Sequence, residues 1–315
     1  MTKKPMIILS GPTAVGKTAL SIKLAKRVNG CIISADSMQV YKHMDIGSAK
    51  IMPKEMDGVK HYLIDALMPE DEFNIVVFQN MAKAALDEIY KNGQIPIIAG
   101  GTGFYIQALL YDIDFNNQEN ETEYRTELEV IAKTQGNKIL HDKLREIDPV
   151  SAEKIHANNV KRVIRALEFY HFTGKPISEH NEEEKKKESP YNFAYFVLTD
   201  NRENLYKRID KRVDMMIENG LLSEVQSLKD MGYHRNMVSM QGLGYKEILD
   251  YFDGKCTLEE AIYIIKRETR HFAKRQLTWF RRERDVIWLD KAAFLYDENS
   301  ILDNICHVLE TKKII

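Results

Sequence analysis

The chain has 315 residues, 44% hydrophobic and 29% charged, with a formal net charge of −2. That composition supplies enough apolar material for a large core and excludes a disordered or uniformly basic chain, so any nucleic-acid surface must be a local patch. Three widely spaced cysteines, Cys31, Cys256 and Cys306, exclude a disulfide scaffold or a cysteine zinc finger and predict a reducing, cytoplasmic setting.

The first 110 residues alternate short apolar runs with helical patterns. Strands are predicted over 6–10, 31–34, 62–64 and 95–99, and helices over 18–28 and 75–92, the second stopped by Gly93. Such alternation predicts a parallel sheet covered by helices. The first apolar run is too short for a secretory signal, and no stretch reaches the roughly 20 apolar residues of a membrane span.

Residues 112–190 change character. Helical patterns over 121–132, 138–147 and 160–172 are punctuated by Asp148-Pro149 and Thr173-Gly174, and no strand pattern intervenes. The segment 181–190 carries the run Glu182-Glu183-Glu184-Lys185-Lys186-Lys187 and is predicted to be a solvated, mobile stretch. A strand over 193–198, long helices over 203–228 and 258–282, and a strand over 286–289 follow. The expected organisation is therefore one α/β domain formed by 1–111 and 191–315, interrupted by a small all-helical insertion at 112–190.

The first chemical signal is Gly11-Pro12-Thr13-Ala14-Val15-Gly16-Lys17-Thr18, a full GxxxxGK[ST] string between a strand and a helix. Its glycines let backbone N–H groups converge on phosphate oxygens at a helix N-terminus. Lys17 adds a mobile cation, and the Thr18 hydroxyl is a candidate Mg²⁺ ligand. The fold class expected is thus P-loop NTPase-like. The string does not fix the reaction. No NKxD guanine signature is present, and the strand over 95–99 ends in Gly100-Gly101-Thr102 rather than an Asp. Asp65, after Tyr62-Leu63-Ile64, is either a weak acidic partner of the phosphate loop or a turn cap.

Asp36 follows the second predicted strand, on the sheet edge where parallel α/β folds place ligands. It is either a base beside the phosphate ligand, with about 10²–10⁴-fold in rate at stake, or a cap on a turn. Ser37 and Gln39 either meet a base edge or stabilise the loop.

Residues 266–284 hold eight cationic side chains against two acidic ones. Arg267, Arg270, Lys274 and Arg281 fall near one helical face, with Ile265, Phe272, Gln276 and Phe280 on another that reads as core. The cationic face is either a phosphate-backbone stripe or a solvated surface. Lys161, Arg162 and Arg165 form a second basic group in the insertion. Arg208 and Arg212 share a helix face, placed either to reach a pyrophosphate or to pair with neighbours such as Asp214. The histidines show no close metal-ligand spacing, so His43, His61, His156 and His271 read as surface or hydrogen-bonding residues.

These strings together resemble the bacterial tRNA dimethylallyltransferases, also called tRNA isopentenyltransferases, over nearly the whole length. The motifs are GPTAVGKTAL at 11–20, SADSMQVYKHMDIGSAK at 34–50, HYLIDA at 61–66, GGTGFYIQALL at 100–110, NNVKRVIRALE at 158–168, QGLGYKE at 241–247 and TRHFAKRQLTWFRR at 269–282. The resemblance implies transfer of a dimethylallyl group from dimethylallyl diphosphate to N6 of the adenine 3′ of the anticodon. It implies that Thr13 through Thr18 cradle the diphosphate with Mg²⁺, that Asp36 is the general base, and that Thr102 is a hydroxyl at the reaction site. It also implies that Arg212 is the arginine that helps hold the diphosphate. Ser37, Met38, Gln39, Arg125, Lys161, Arg162, Arg165, Gln241, Arg270 and Lys274 are implied tRNA contacts, with the anticodon arm as partner and no obligate protein partner. Ser48 stands where Thr is usual, and Tyr62 replaces the second His of a usual pair.

Overall fold

A computed structural model describes residues 3–115 and 123–315. The chain divides into two compact units, one made of Met1–Asp112 and Pro190–Ile315, the other of Ile113–Ser189.

In chain order the first unit begins with β1 (Lys4–Ser10), α1 (Lys17–Val28), β2 (Gly30–Ala35), β3 (His61–Tyr62), α2 (Ile75–Lys91), β4 (Ile95–Gly100) and α3 (Gly103–Leu110). The second unit holds α4 (Glu123–Gln135), α5 (Asn137–Ile147), α6 (Pro149–Lys154), α7 (Val160–Thr173) and α8 (Ile177–Lys186). The first unit then resumes with β5 (Tyr191–Thr199), α9 (Arg202–Glu218), α10 (Leu221–Asp230), α11 (Tyr245–Phe252), α12 (Leu258–Phe280), β6 (Val286–Asp290) and α13 (Glu298–Thr311).

The six strands form one sheet in the order β3-β2-β4-β1-β5-β6, with every pair parallel. A parallel sheet covered on both faces needs strands that are apolar throughout rather than alternating. Met6, Ile7, Ile8 and Leu9 of β1 and Ala194, Tyr195, Phe196 and Val197 of β5 are all completely buried. Helix ends are set by local chemistry. Asn74 accepts from the amides of Val76 and Val77 at 2.9 and 3.0 Å to start α2. At α12, Thr257 and Glu260 form a reciprocal capping box, a device worth about 1 kcal/mol.

In the second unit, Leu128, Leu140, Leu144, Val163, Ile164 and Leu167 make a separate apolar core. Asp148 caps α6 through the Ser151 amide at 2.9 Å, with Pro149 at the first helical position.

Three expectations need correction. The helix predicted over 203–228 is two helices, because Gly220 takes a left-handed φ of +98° and breaks α9 from α10. The strand predicted over 62–64 stops at Tyr62, since Leu63 already has φ +62°. The charged stretch predicted to be mobile is largely helical: α8 runs to Lys186. Asp148 accepts from the Ser178 amide and hydroxyl at 3.0 and 2.6 Å. Lys185 and Lys187 pair with Glu182 and Glu184 one turn back. The helix predicted over 121–132 is seen as α4; Glu121 and Thr122 lie outside the described residues.

Candidate active site

The phosphate loop joins β1 to α1 at the C-terminal edge of the sheet. Gly16 sits at φ +104°, a conformation other residues adopt only under strain, immediately before the first helical residue, Lys17. The loop amides thus meet the positive end of α1. Lys17 is half-buried, and its ammonium turns inward to donate to the carbonyls of Gly11 and Pro12 at 3.0 and 2.8 Å. Burial pushes its pKa down to about 7. Arg212 adds to that shift, while Asp36 opposes it.

A second loop, Gly100 to Gly103, lies against α12. A Cβ on Gly101 would come within 2.1 Å of Gln276 Nε2, and one on Gly103 within 2.2 Å of the Trp279 ring, so these positions are glycine because a helix presses on them. Gln276, nine-tenths buried, joins the loops: its Oε1 accepts from the Thr13 amide at 2.9 Å and its Nε2 donates to the Gly101 carbonyl at 3.0 Å. Sequence reading placed Gln276 on the core face of α12. Its bridging role could have been suspected only from a polar side chain in an apolar row.

Asp36 follows β2. Its Oδ1 accepts from the amides of Met38 and Gln39 at 2.9 and 3.4 Å, closing a turn. Its Oδ2 has no hydrogen-bond partner among the described residues. One oxygen therefore shapes the loop, and the other is left free for a further partner. Gln39 braces the loop, donating to the carbonyls of Ser48 and Ala49 at 3.5 and 3.2 Å and facing the Ser34 hydroxyl at 3.4 Å.

These groups share one cavity. Thr13, Lys17, Thr18, Asp36, Arg212 and Gln276 supply its polar wall. Ile32, Ile51, Ile64, Ala99 and Phe272 supply an apolar one. His61 also lines it, half-buried, its Nδ1 2.9 Å from the Val59 carbonyl; burial lowers its pKa, so the imidazole favours its neutral form. Arg212, from α9, makes no ion pair among the described residues. Two acids beside it on its own helix are engaged elsewhere, Asp210 with Arg270 at 2.5 Å and Asp214 with Lys266 at 2.5 Å. Burial lowers the Arg212 pKa and Asp36 opposes the shift. An unpaired guanidinium, a half-desolvated ammonium and a helix N-terminus converge on one space, which suits an anion.

A second lobe opens beside the loop, between Ala14, Gly16 and Thr18 on one side and Arg208, Lys211 and Met215 of α9 on the other. Arg208 Nη2 and Lys291 Nζ approach the position of a Gly16 Cβ to 3.2 and 3.4 Å. The acid nearest to Arg208 is Asp200, 4.0 Å away.

The remaining sequence candidates are placed as follows. Thr102 is the N-cap residue of α3 without a side-chain cap bond, adjacent to the cavity lining rather than in it. Ser37 and Met38 are half-buried, and Gln241 is exposed and donates to the Arg235 carbonyl. Asp65 and Asp45 both hold the buried ammonium of Lys50 at 2.6 Å, so Asp65 is committed to loop architecture. Along α12 and the turn that follows it the basic stripe is thinned, since Lys266, Arg267 and Arg270 pair with acids, while Lys274, Arg281 and Arg282 are exposed and without an ion pair among the described residues. Within the second unit, Arg125 makes a bidentate bridge to buried Glu168 at 3.0 and 2.5 Å. Lys161, Arg162 and Arg165 of α7 have no ion pair among the described residues. No group of three or more His, Cys, Asp or Glu side chains among the described residues could cage a metal, and no described helix is long and apolar enough to cross a membrane.

A parallel sheet, a phosphate loop at its C-terminal edge and a carboxylate sharing the loop's cavity define a P-loop group-transfer protein. Residues 39–283 match the IPP transferase family, and the chain belongs to that family. It is 61% identical over 312 residues to the tRNA dimethylallyltransferase of Lachnoclostridium phytofermentans, covering 99% of both chains. It is 53% identical over 306 residues to the tRNA dimethylallyltransferase of Acetivibrio thermocellus, covering 97% of both. Among solved structures it is similar to the tRNA isopentenylpyrophosphate transferase of Bacillus halodurans, with a TM-score of 0.74 at 46% identity, covering 99% of this chain and 98% of that one. It is also similar to a eukaryotic dimethylallyltransferase acting on tRNA, with a TM-score of 0.79 at 32% identity, covering 91% of this chain and 74% of that one.

Proposed function

We propose that the protein transfers a dimethylallyl group from dimethylallyl diphosphate to N6 of the adenine immediately 3′ of the anticodon of tRNA, releasing diphosphate in the cytosol. The observation that carries this reading is the shared cavity of Asp36, Lys17 and Arg212, in which a carboxylate with a free oxygen faces two unpaired cations beside an apolar wall.

The chemistry follows from that arrangement. The adenine N6 lone pair is delocalised and weakly nucleophilic, so attack on the allylic carbon needs a stabilised leaving group and a proton acceptor. Lys17, Arg212 and the loop amides stabilise the negative charge that develops on the departing diphosphate. Ile32, Ile51, Ile64, Ala99 and Phe272 give the five-carbon chain an apolar seat and keep water from the reacting carbon. Asp36 Oδ2 hydrogen-bonds the exocyclic amine and takes its proton. The target base must leave its stack, at a cost of a few kcal/mol. Ser37, Met38 and Gln39, next to Asp36, form the rim it passes, and Thr102 adds a hydroxyl at the α3 N-terminus. Cationic side chains, Lys161, Arg162 and Arg165 on α7 and Lys274 on α12, bind the phosphate backbone of the anticodon arm, with Arg125, Gln241 and Arg270 positioning the segments that carry the contacts.

The residues fit Mg²⁺, which binds such substrates through few protein oxygens and mostly through phosphates. The exposed Thr18 hydroxyl has no partner among the described residues and lines the cavity. It would hold the ion, whose charge would further neutralise the diphosphate.

The test offers radiolabelled dimethylallyl diphosphate with unmodified tRNA, with AMP or alone, and ATP as a competing donor. Label confined to tRNA supports the reading. Phosphoryl transfer from ATP without prenyl transfer refutes it.

A further inference from the structure

The string from Asp36 to Lys50 has a support that neither the phosphate loop nor the cavity supplies. Glu224 of α10 receives three consecutive backbone amides from it: Asp45 N and Ile46 N donate to Oε2 at 2.9 and 2.7 Å, and Gly47 N donates to Oε1 at 3.0 Å. Tyr245, the first residue of α11, completes the set. Its hydroxyl donates to Glu224 Oε1 at 2.8 Å and accepts from the Ser48 amide at 3.1 Å. Burial, with Glu224 beside it, holds the Tyr245 pKa well above the usual phenol value, so the hydroxyl keeps the proton it donates. A Cβ on Gly47 would lie 2.5 Å from the Tyr245 ring, so this approach admits only glycine. Among the described residues no cation pairs with Glu224. Its charge is met by peptide dipoles and one phenol.

From this nest a continuous set of bonds reaches the cavity. The Ser48 and Ala49 carbonyls, which follow the held amides, accept from Gln39 Nε2. The Gln39 amide donates to Asp36 Oδ1. Ala49 and Gln39 are themselves cavity wall. At the other end of the string, Met38 Cε lies 2.6 Å from the Cβ position of Gly242, three residues before Tyr245. The α10–α11 segment thus backs the string at both ends. None of these contacts touches Thr13 through Thr18.

We infer that Glu224 and Tyr245 are positioning residues for the acceptor side of the site: they set the aim of Asp36 Oδ2 and leave the anion site alone. This rests on the acceptor role given to Asp36 above. A carboxylate is required rather than an amide, because three converging N–H donors need acceptors on both oxygens, and the NH₂ of Gln would oppose one of them.

The experiment uses the full chain with Glu224→Gln and Tyr245→Phe, the second retaining the ring that packs on Gly47. Displacements near 1 Å at a reacting group cost about 10²-fold. The expected result is a kcat for tRNA prenylation lowered about tenfold to 10²-fold, with the affinity for inorganic pyrophosphate and the KM for donor unchanged. Hydrogen exchange reports the same division without any turnover: the amides of 45–48 exchange faster while those of 13–18 do not. Parallel loss of pyrophosphate affinity and kcat would reduce the pair to general stability and overturn the inference. Unchanged exchange at 45–48 in both variants would also overturn it. If the unmodified protein binds pyrophosphate but prenylates nothing, the proposed function fails, and the exchange pattern still judges the Glu224–Tyr245 nest.

Discussion

The Thr13 amide donates to Gln276 Oε1 at 2.9 Å, across 263 residues of chain, and so fixes the phosphate loop against the last long helix. The other end of the same side chain holds the Gly101 carbonyl. One amide group thereby sets the width of the cavity between the phosphate loop and the Gly-Gly-Thr-Gly turn. Replacing Gln276 by Leu leaves the buried Gly101 carbonyl unpaired, at about 1–3 kcal/mol, and the part-buried Thr13 amide unpaired at a smaller cost. The expected outcome is a lower melting temperature and pyrophosphate affinity weakened about tenfold, measured by calorimetry. Affinity within twofold of the parent would show that the loop holds its shape without Gln276.

Asp36 separates its two tasks by oxygen, and that makes a clean variant available. Asn at this position keeps an Oδ1 that accepts from the Met38 and Gln39 amides, so the turn survives. It loses the basic Oδ2. Asp36→Asn is expected to lower kcat for tRNA prenylation by about 10²–10⁴-fold, with pyrophosphate affinity unchanged. Single-turnover rates with saturating donor make the measurement. A loss below threefold would remove Asp36 from proton transfer.

Lys17 gives the site a pH dependence whose sign is fixed by its environment. Burial, reinforced by Arg212, lowers its pKa from 10.5 to about 7 in the ligand-free protein. A bound diphosphate favours the ammonium and raises that value. Below pH 7 the ammonium is already charged, and binding takes up no proton on its account. From about pH 7 to the higher pKa of the complex, binding takes up a proton, and affinity falls as pH rises. The unfolded chain also holds this proton more tightly than the folded one, so the lysine's contribution to stability rises with pH over the window from about 7 to 10.5. Pyrophosphate titrations at pH 8 in two buffers of different ionisation enthalpy should show uptake exceeding that of Lys17→Arg, whose charge does not titrate. Equal uptake in the two proteins would place the lysine's pKa outside this range.

The sheet and the phosphate loop were legible because their signals are local. An apolar run of four to six residues followed by GxxxxGK[ST] and a helical period is a strand, a loop and a helix whatever surrounds them. Asp36 and Arg212 were legible as chemistry and from resemblance, while their convergence on Lys17 was not, because it depends on how α9 and the loops after β1 and β2 come together around one cavity. Gly220 was a visible breaker that a strong helical period on both sides masked. The triplet of glutamates and lysines in α8 read as mobile because its charge is high, whereas pairing one turn apart makes the same residues good helix formers. The Glu224 nest left no trace at all: a half-buried glutamate on an amphipathic helix looks like any other until the three amides it receives are in place.

The second unit offers a test of which cations meet RNA. Arg125 and the α7 group Lys161, Arg162 and Arg165 were all candidate contacts, yet their surroundings differ. Arg125 is committed to Glu168, whose side chain is 3% exposed. Removing one member of a buried pair costs about 3–5 kcal/mol because the other charge is stranded, a figure reduced here because the Arg125 side chain is 27% exposed. Arg125→Ala should therefore lower the melting temperature of the full chain and leave the salt dependence of tRNA binding nearly unaltered. The α7 side chains carry no such bridge among the described residues, so changing all three to Ala should do the reverse. Stability should change little, while the slope of log affinity against log salt becomes shallower by about 2–3, near one phosphate contact for each cation lost. Binding titrations with one tRNA between 50 and 200 mM salt, the range over which that slope is well determined, decide between them. A shallower slope for Arg125→Ala and none for the triple variant would invert the assignment, making the buried bridge the RNA contact and leaving the α7 cations as solvated surface.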